Sequence, residues 1–147
     1  MTEKIRTILL AEDNPLDAEL AMDALREARL ANPVVLVRDG AEALDWLHRR
    51  GPHADRAKGD PAVVLLDLKM PRRDGLDVLS EMRADPHLRR IPVVILSSSR
   101  EESDLVRSWD LGVNAYVVKP VDARQFFDSV QTLGHFWAVL NEPIELD

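Results

Sequence analysis

Glu12-Asp13, Asp67, Ser97 and Lys119 each close a short apolar run of the chain, and together they offer three carboxylates, a hydroxyl and an ammonium. Carboxylates crowded together repel one another unless a cation joins them, and an all-oxygen donor set that keeps some water suits Mg²⁺. A neighbouring ammonium and hydroxyl add donors for an anion. Such a combination can move a phosphoryl group: metal and lysine offset the charge on oxygen while one carboxylate attacks phosphorus. Taken singly, each residue has a plainer explanation. Glu12 and Asp13 would serve as first-turn acids favoured by a helix dipole. Asp67 would close a loop, Ser97 would be a loop serine, and Lys119 a solvated lysine. What separates the two readings is that all of them follow apolar strands.

The elements that must position these residues follow from the apolar patterning. Residues 62–66 are five apolar residues in a row behind Pro61, with β-branched members, as a fully buried parallel strand requires, and Asp67 ends that strand. Met70-Pro71 breaks the chain, and Asp74-Gly75 signals a turn into a helix over 76–84 with Leu76, Leu79 and Met82 inward. Residues 5–10 predict the first strand. Asn14, a cap residue type, with Pro15 at the first helical position, starts a helix to about residue 29, with Ala21, Ala24, Leu25 and Ala28 on one face.

A second strand over 34–37 ends at Asp39-Gly40, and a helix over about 41–50 buries Ala43, Leu44 and Leu47. Residues 51–60, rich in breakers and mixed charge, predict an exposed loop. The fourth strand covers 91–96, and Ser99 with Glu102 forms a capping box for a helix ending at Gly112. A fifth strand covers 115–118, and Asp122 to Gln125 opens a long helix from 123 to about 140. Strand and helix alternate five times with short connections. The expected fold is α/β: a doubly wound five-stranded parallel sheet with helices on both faces. Its strand ends gather at the carboxyl edge, where open α/β folds bind ligands.

At 147 residues the chain suits one domain with a real core. Apolar residues make up 46% and charged residues 31%, which excludes a disordered chain. The formal charge of -7, from 26 acids against 19 bases, argues against binding nucleic acid or an anionic lipid surface unaided. Cysteine is absent, so disulfides and thiolate metal sites are excluded and a reducing, cytoplasmic setting is expected. The four histidines lack metal-ligand spacing. Neither a signal peptide nor an apolar run of membrane-spanning length is visible.

The acid pair Glu12-Asp13, Asp67 followed by Met70-Pro71 and Asp74-Gly75, Ser97, and Tyr116-Val117-Val118-Lys119-Pro120 resemble the receiver domain of two-component response regulators. The resemblance covers essentially the whole chain as a single receiver domain, with a core over about 5–134 and an extension over 135–147. It implies the flavodoxin-like strand order 2-1-3-4-5. It also implies that Asp67 is the phosphoacceptor, taking its phosphoryl group from the phosphohistidine of a histidine kinase. Asp13 and Asp67 would ligate Mg²⁺, Glu12 would act directly or through water, and the backbone carbonyl of Lys69 would complete the protein's share. Lys119, after a cis bond to Pro120, would contact phosphoryl oxygens. Ser97 and Tyr116 would be the switch pair. Lys69 and the tail from Phe126-Phe127 through Leu133-Gly134-His135-Phe136-Trp137 are similar to the small regulators paired with bacterial phytochromes, which implies a bacteriophytochrome as the kinase.

Lys69 departs from the commonest receiver pattern, and its ammonium could reach or shield the phosphoryl group. Phosphatases of the haloacid dehalogenase type also use an aspartyl nucleophile with Mg²⁺, but they want an acid where Lys69 stands. A receiver working as a phosphorylation-independent interaction module would lack part of the acid pair, the acceptor or the lysine. The long last helix followed by a short acidic tail, without a basic DNA-reading region, points to a stand-alone protein that signals and is not otherwise an enzyme. In that helix Phe126, Val130, Leu133, Trp137 and Leu140 supply one apolar stripe, whereas residues 136–140 are apolar all round. Phe127, Phe136 and Val139 are thereby left for a second surface. Residues 141–146 alternate behind a proline as an extended arm would. With the resemblance, this predicts a homodimer through the C-terminal helix and tail.

Overall fold

The sheet is built from segments too apolar to lie anywhere but between two layers of helix. In the computed structural model, which describes residues 2–27, 32–108, 110–113, 115–125, 128 and 143–146, the elements run β1 (Thr2–Ile5), β2 (Ile8–Ala11), α1 (Pro15–Glu27), β3 (Val34–Val37), α2 (Gly40–His48), β4 (Val63–Asp67), α3 (Gly75–Ala84), β5 (Val93–Ser97), α4 (Arg100–Ser108), β6 (Ala115–Val118) and β7 (Pro143–Leu146). The main sheet is parallel throughout in the order β3-β2-β4-β5-β6. Counted alone, its strands follow the expected order 2-1-3-4-5. All residues of β4 and β5 are buried, as strands covered on both faces must be.

Alternation along the strands divides the core in two. Leu9, Ala11, Val64, Leu66, Val93 and Ile95 meet Leu44, Leu47, Val78, Leu79 and Met82 on the face covered by α2 and α3. Ile8, Leu10, Val63, Leu65, Val94 and Leu96 meet Ala21, Ala24 and Leu25 of α1 on the other. Small residues on α1 let that helix lie close to the sheet. The register aligns the strand ends: Ala11 pairs with Leu66, Asp67 with Leu96, and Ser97 with Val118. Glu12 and Lys119 each fall one residue beyond.

Several boundaries differ from the sequence expectation, each for a local reason. The predicted first strand over 5–10 is two strands. Arg6 and Thr7 interrupt it, with Arg6 O accepting from Asn32 Nδ2 at 2.8 Å and Thr7 O from Ala62 N at 2.8 Å. The preceding β1 pairs antiparallel with β7, so the described part of the predicted arm, residues 143–146, is extended and lies on the chain's own first strand. Helix α2 stops at His48 because Arg49 takes a left-handed backbone, φ 55°. The following loop is exposed as predicted, though it is not without structure. A 3₁₀ turn at Gly51–His53 begins it, and Arg56 then ties it down. Its Nε donates to Trp46 O at 2.7 Å, its guanidinium lies 3.8 Å over the Trp46 ring, and its Nη1 donates to Ala57 O and Gly59 O.

Helix α4 ends at Ser108, short of Gly112, with Asp110 also left-handed at φ 51°. In α3 it is Val78, beside Leu79 and Met82, that is fully buried, while Leu76 is half-buried. Beyond Asp122, whose carboxylate accepts from Gln125 N at 2.7 Å, residues 123–125 are helical. The rest of the predicted last helix, including Phe127, Phe136 and Val139, lies outside the described residues except for residue 128.

One contact decides how the loop after β4 lies. Asp74 caps α3 by accepting from Asp77 N at 2.9 Å, and Gly75 N donates to Leu68 O at 2.8 Å. A Cβ on Gly75 would stand 2.3 Å from Asp67 O and 2.8 Å from Leu68 Cα. Backbone packs here on backbone, and only glycine permits it. Gly75→Ala is therefore expected to lower stability by about 2 kcal/mol in urea unfolding, the usual scale for forced overpacking. An unchanged midpoint would show that the loop yields freely.

Candidate functional site

Glu12 continues the ladder of β2, its N–H donating to Val37 O at 3.0 Å. Its carboxylate is 1% exposed, and Asn14 N donates to Oε2 at 3.2 Å. Asn14 caps α1 as predicted, its Oδ1 accepting from Asp17 N at 3.0 Å. Asp13 beside it is exposed, and Asp67 at the end of β4 is 3% exposed. Oxygens from Glu12, Asp13 and Asp67 all lie within 4.8 Å of one another. The Lys119 ammonium reaches the same group from the end of β6, 3.1 Å from Glu12 Oε1 and 3.3 Å from Asp67 Oδ1. It also lies 3.0 Å from Asp17 Oδ2. The Lys119-Pro120 bond is cis.

The electrostatics follow from burial. Desolvation pushes the Glu12 carboxyl up to about 7, helped by the hydrogen bond and the charge of Asp67, while Asn14 N–H and Lys119 oppose. Burial alone would lower the Lys119 ammonium, but the bond to Asp17 and the charges of Asp67 and Glu12 outweigh it and hold its pKa above the usual value. One ammonium thus meets three carboxylates, with a fourth, Asp13, beside Glu12 and Asp67. A hard divalent cation fits the surplus, because the donors are all oxygen and one acid, Asp13, is open to solvent.

The structure separates the remaining predicted residues from this cluster or joins them to α4. Ser97 is fully buried, and its hydroxyl donates to Ser99 O at 3.1 Å and also touches Ser103 Oγ. Tyr116 is half-buried under the Arg107 guanidinium, 4.3 Å from its ring centre, and burial pushes its phenol up. The Lys69 side chain is 79% exposed and its ammonium lies 3.4 Å from Glu102 Oε2 in the first turn of α4. Burial would raise the Glu102 carboxyl, but hydrogen bonds from Ser98 N at 3.2 Å and Ser98 Oγ at 3.1 Å, with Lys69, hold it low. The capping box is therefore skewed by one residue: Ser99 Oγ accepts from Glu102 N, while Glu102 reaches back to Ser98.

Two residues of the site were absent from the sequence reading. Asp17 lies in the first turn of α1, three positions after the cap Asn14. Ser103 lies four positions after Ser99 and is buried against Ser97. Attention to helical spacing, beyond strand ends, would have found both.

A buried aspartate ending the third parallel strand, an acid pair ending the first and a lysine ending the fifth define a receiver site. The chain belongs to the response regulator receiver domain family, whose model matches residues 8–131. It is similar to the bacteriophytochrome response regulator AtBRR, with 61% identity over 95% of this chain and 99% of that one and a TM-score of 0.87. To the bacteriophytochrome response regulator RtBRR it is 56% identical, over 95% of this chain and 84% of that one, with a TM-score of 0.88. Response regulator Rcp1 from a Synechocystis species is 36% identical over 90% of this chain and 88% of its own length. The Mn²⁺-bound structure of Rcp1 aligns over 97% of this chain and 99% of that one, with a TM-score of 0.72.

The raised Glu12 carboxyl has a consequence for stability. A group moved from 4.5 to about 7 on folding favours the folded state at low pH, and that contribution is lost as pH rises from 4.5 through 7. In chelator, the protein is expected to lose stability across this window relative to Glu12→Gln, read by urea unfolding at several pH values. A difference between the two that did not change with pH would remove Glu12 from the account.

Proposed function

We propose that the chain is a single receiver domain accepting a phosphoryl group on Asp67 from the phosphohistidine of a histidine kinase. The observation that carries this reading is the Asp67 carboxylate, buried at the end of β4 with Lys119 on one oxygen and the acids Glu12 and Asp13 beside it. An Asp67 oxygen attacks phosphorus, the phosphorus–nitrogen bond to the donor imidazole breaks, and the imidazole leaves with the bonding pair. Lys119 binds the phosphoryl oxygens. Asp13 and Asp67, with Glu12 directly or through water and the Lys69 carbonyl, would hold Mg²⁺. When bound, this ion supplies charge neutralisation on the transferring oxygens. Ser97 then leaves Ser99 and Ser103 to bond the new group, and Tyr116 turns inward behind it.

The likeness to AtBRR and RtBRR supports a bacteriophytochrome as the kinase, and the Mn²⁺-bound Rcp1 structure supports a divalent ion at the acid cluster. The absence of cysteine from the sequence is in keeping with a cytoplasmic setting. Among the described residues, no helix is long and apolar enough to cross a membrane. Incubation with radiolabelled acetyl phosphate and Mg²⁺ is expected to label the protein, with the label lost in Asp67→Asn and on chelation. Undiminished labelling of Asp67→Asn would sink the assignment.

The dimer is part of the same proposal, with Phe127, Phe136 and Val139 in its interface. Its support is the surplus apolar surface of the last helix in the sequence, more than one sheet face can cover. Light scattering at micromolar concentration is expected to give twice the chain mass for the full chain and a monomer for a chain ending at Leu133. A monomer in both, with and without phosphorylation, would end the proposal.

A further inference from the structure

Lys119 does not hang free over Asp67. A lysine ammonium has three N–H donors, and here it has three carboxylate partners: Asp17 Oδ2 at 3.0 Å, Glu12 Oε1 at 3.1 Å and Asp67 Oδ1 at 3.3 Å. Two of these belong to a closed circuit. Glu12 Oε2 accepts from Asn14 N, Asn14 Oδ1 accepts from Asp17 N, Asp17 Oδ2 accepts from Lys119 Nζ, and Lys119 donates back to Glu12 Oε1. The ring fastens the ammonium between β2 and the first turn of α1 and leaves it 3.3 Å from Asp67 Oδ1, in an ion pair. A first-turn acid also gains from the helix dipole wherever it points, but the dipole does not account for a contact onto Lys119. That contact is also sheltered, the side chains being 15% and 27% exposed, so it escapes the screening that makes open surface pairs weak.

We propose that Asp17 is a positioning residue: it fixes the Lys119 ammonium beside the Asp67 oxygen, where the phosphoryl group arrives. The inference rests on the reading of Asp67 as phosphoacceptor. Without Asp17, Lys119 keeps its charge and its bond to Glu12 but loses one of the two anchors that set its direction. Small misplacements of a group that meets the reacting oxygens are costly in rate.

The test is a rate measurement with acetyl phosphate and Mg²⁺, supported by thermal unfolding to confirm that each variant folds. Asp17→Ala is expected to slow phosphorylation about tenfold, within the range that such misplacement produces. Asp17→Asn keeps an acceptor oxygen and should recover part of the loss. In a Lys119→Ala background, Asp17→Ala should change the residual rate by less than about twofold, since the two act through one contact. If that rate is too slow to follow, the dissociation constant of beryllofluoride with Mg²⁺ is read on the same four proteins, with the same expected pattern. A wild-type rate in Asp17→Ala would overturn the proposal. So would an equal deficit with and without Lys119, which is the signature of a structural role. Failure of the unaltered protein to be labelled, or labelling that survives Asp67→Asn, would instead overturn the reading of Asp67 and leave Asp17 with no reaction to serve.

Discussion

Everything at the carboxyl edge of this sheet depends on one imbalance: Glu12, Asp13, Asp17 and Asp67 set against the single ammonium of Lys119. In water such a group would disperse. Here the backbone forbids it, because Glu12 and Asp67 continue adjacent strands whose register is fixed by fully buried apolar residues. Folding energy from the core therefore holds the charges together, and Glu12 responds by resisting ionisation. A divalent cation bound at these acids would relieve the strain by lowering the net negative charge.

The loops around the cluster are stiffened by contacts of unlike chemistry. Gly75 lets α3 start against the carbonyl of Asp67, which leaves that strand end no room to shift. A Cβ on Gly40 would likewise meet Arg73 O at 1.9 Å, so the loop after β4 is also seated on the start of α2. The Asp39–Arg72 ion pair closes the same seam. Tight backbone seating of this kind suits the proposed role of Asp67, since a nucleophile must be presented at a fixed point.

The fold was legible because its signal is simple. Uninterrupted apolar runs alternate with helical periodicity, and for Val63–Asp67 and Val93–Ser97 they locate the strands to within two residues. The acid cluster was legible for the same reason, since the ends of parallel strands share an edge. What escaped the reading was set by side chains meeting across elements. Asp17 is an unremarkable first-turn acid until Lys119, far along the chain, arrives beside it. Arg56 looks like one charge among many until its guanidinium is found on Trp46. The break at Arg6-Thr7 depended on Asn32 and Ala62, which donate to those two carbonyls from far along the chain. Local pattern carries no information about such distant partners.

The loop from β5 into α4 is locked by hydroxyls and one carboxylate: Ser97 on Ser99 O and Ser103 Oγ, Ser98 on Glu102, and Ser99 on Glu102 N. Glu102 is the hinge of this set because it also holds Lys69, two positions after Asp67. A phosphoryl group brings a charge of about -1.5 to -2, and on the proposed reading it competes with Glu102 for the Lys69 ammonium while drawing the Ser97 hydroxyl away from Ser103. Both changes would loosen the same turn of α4. On that reading Lys69 would act through what its side chain lets go, leaving its backbone carbonyl to the proposed metal site.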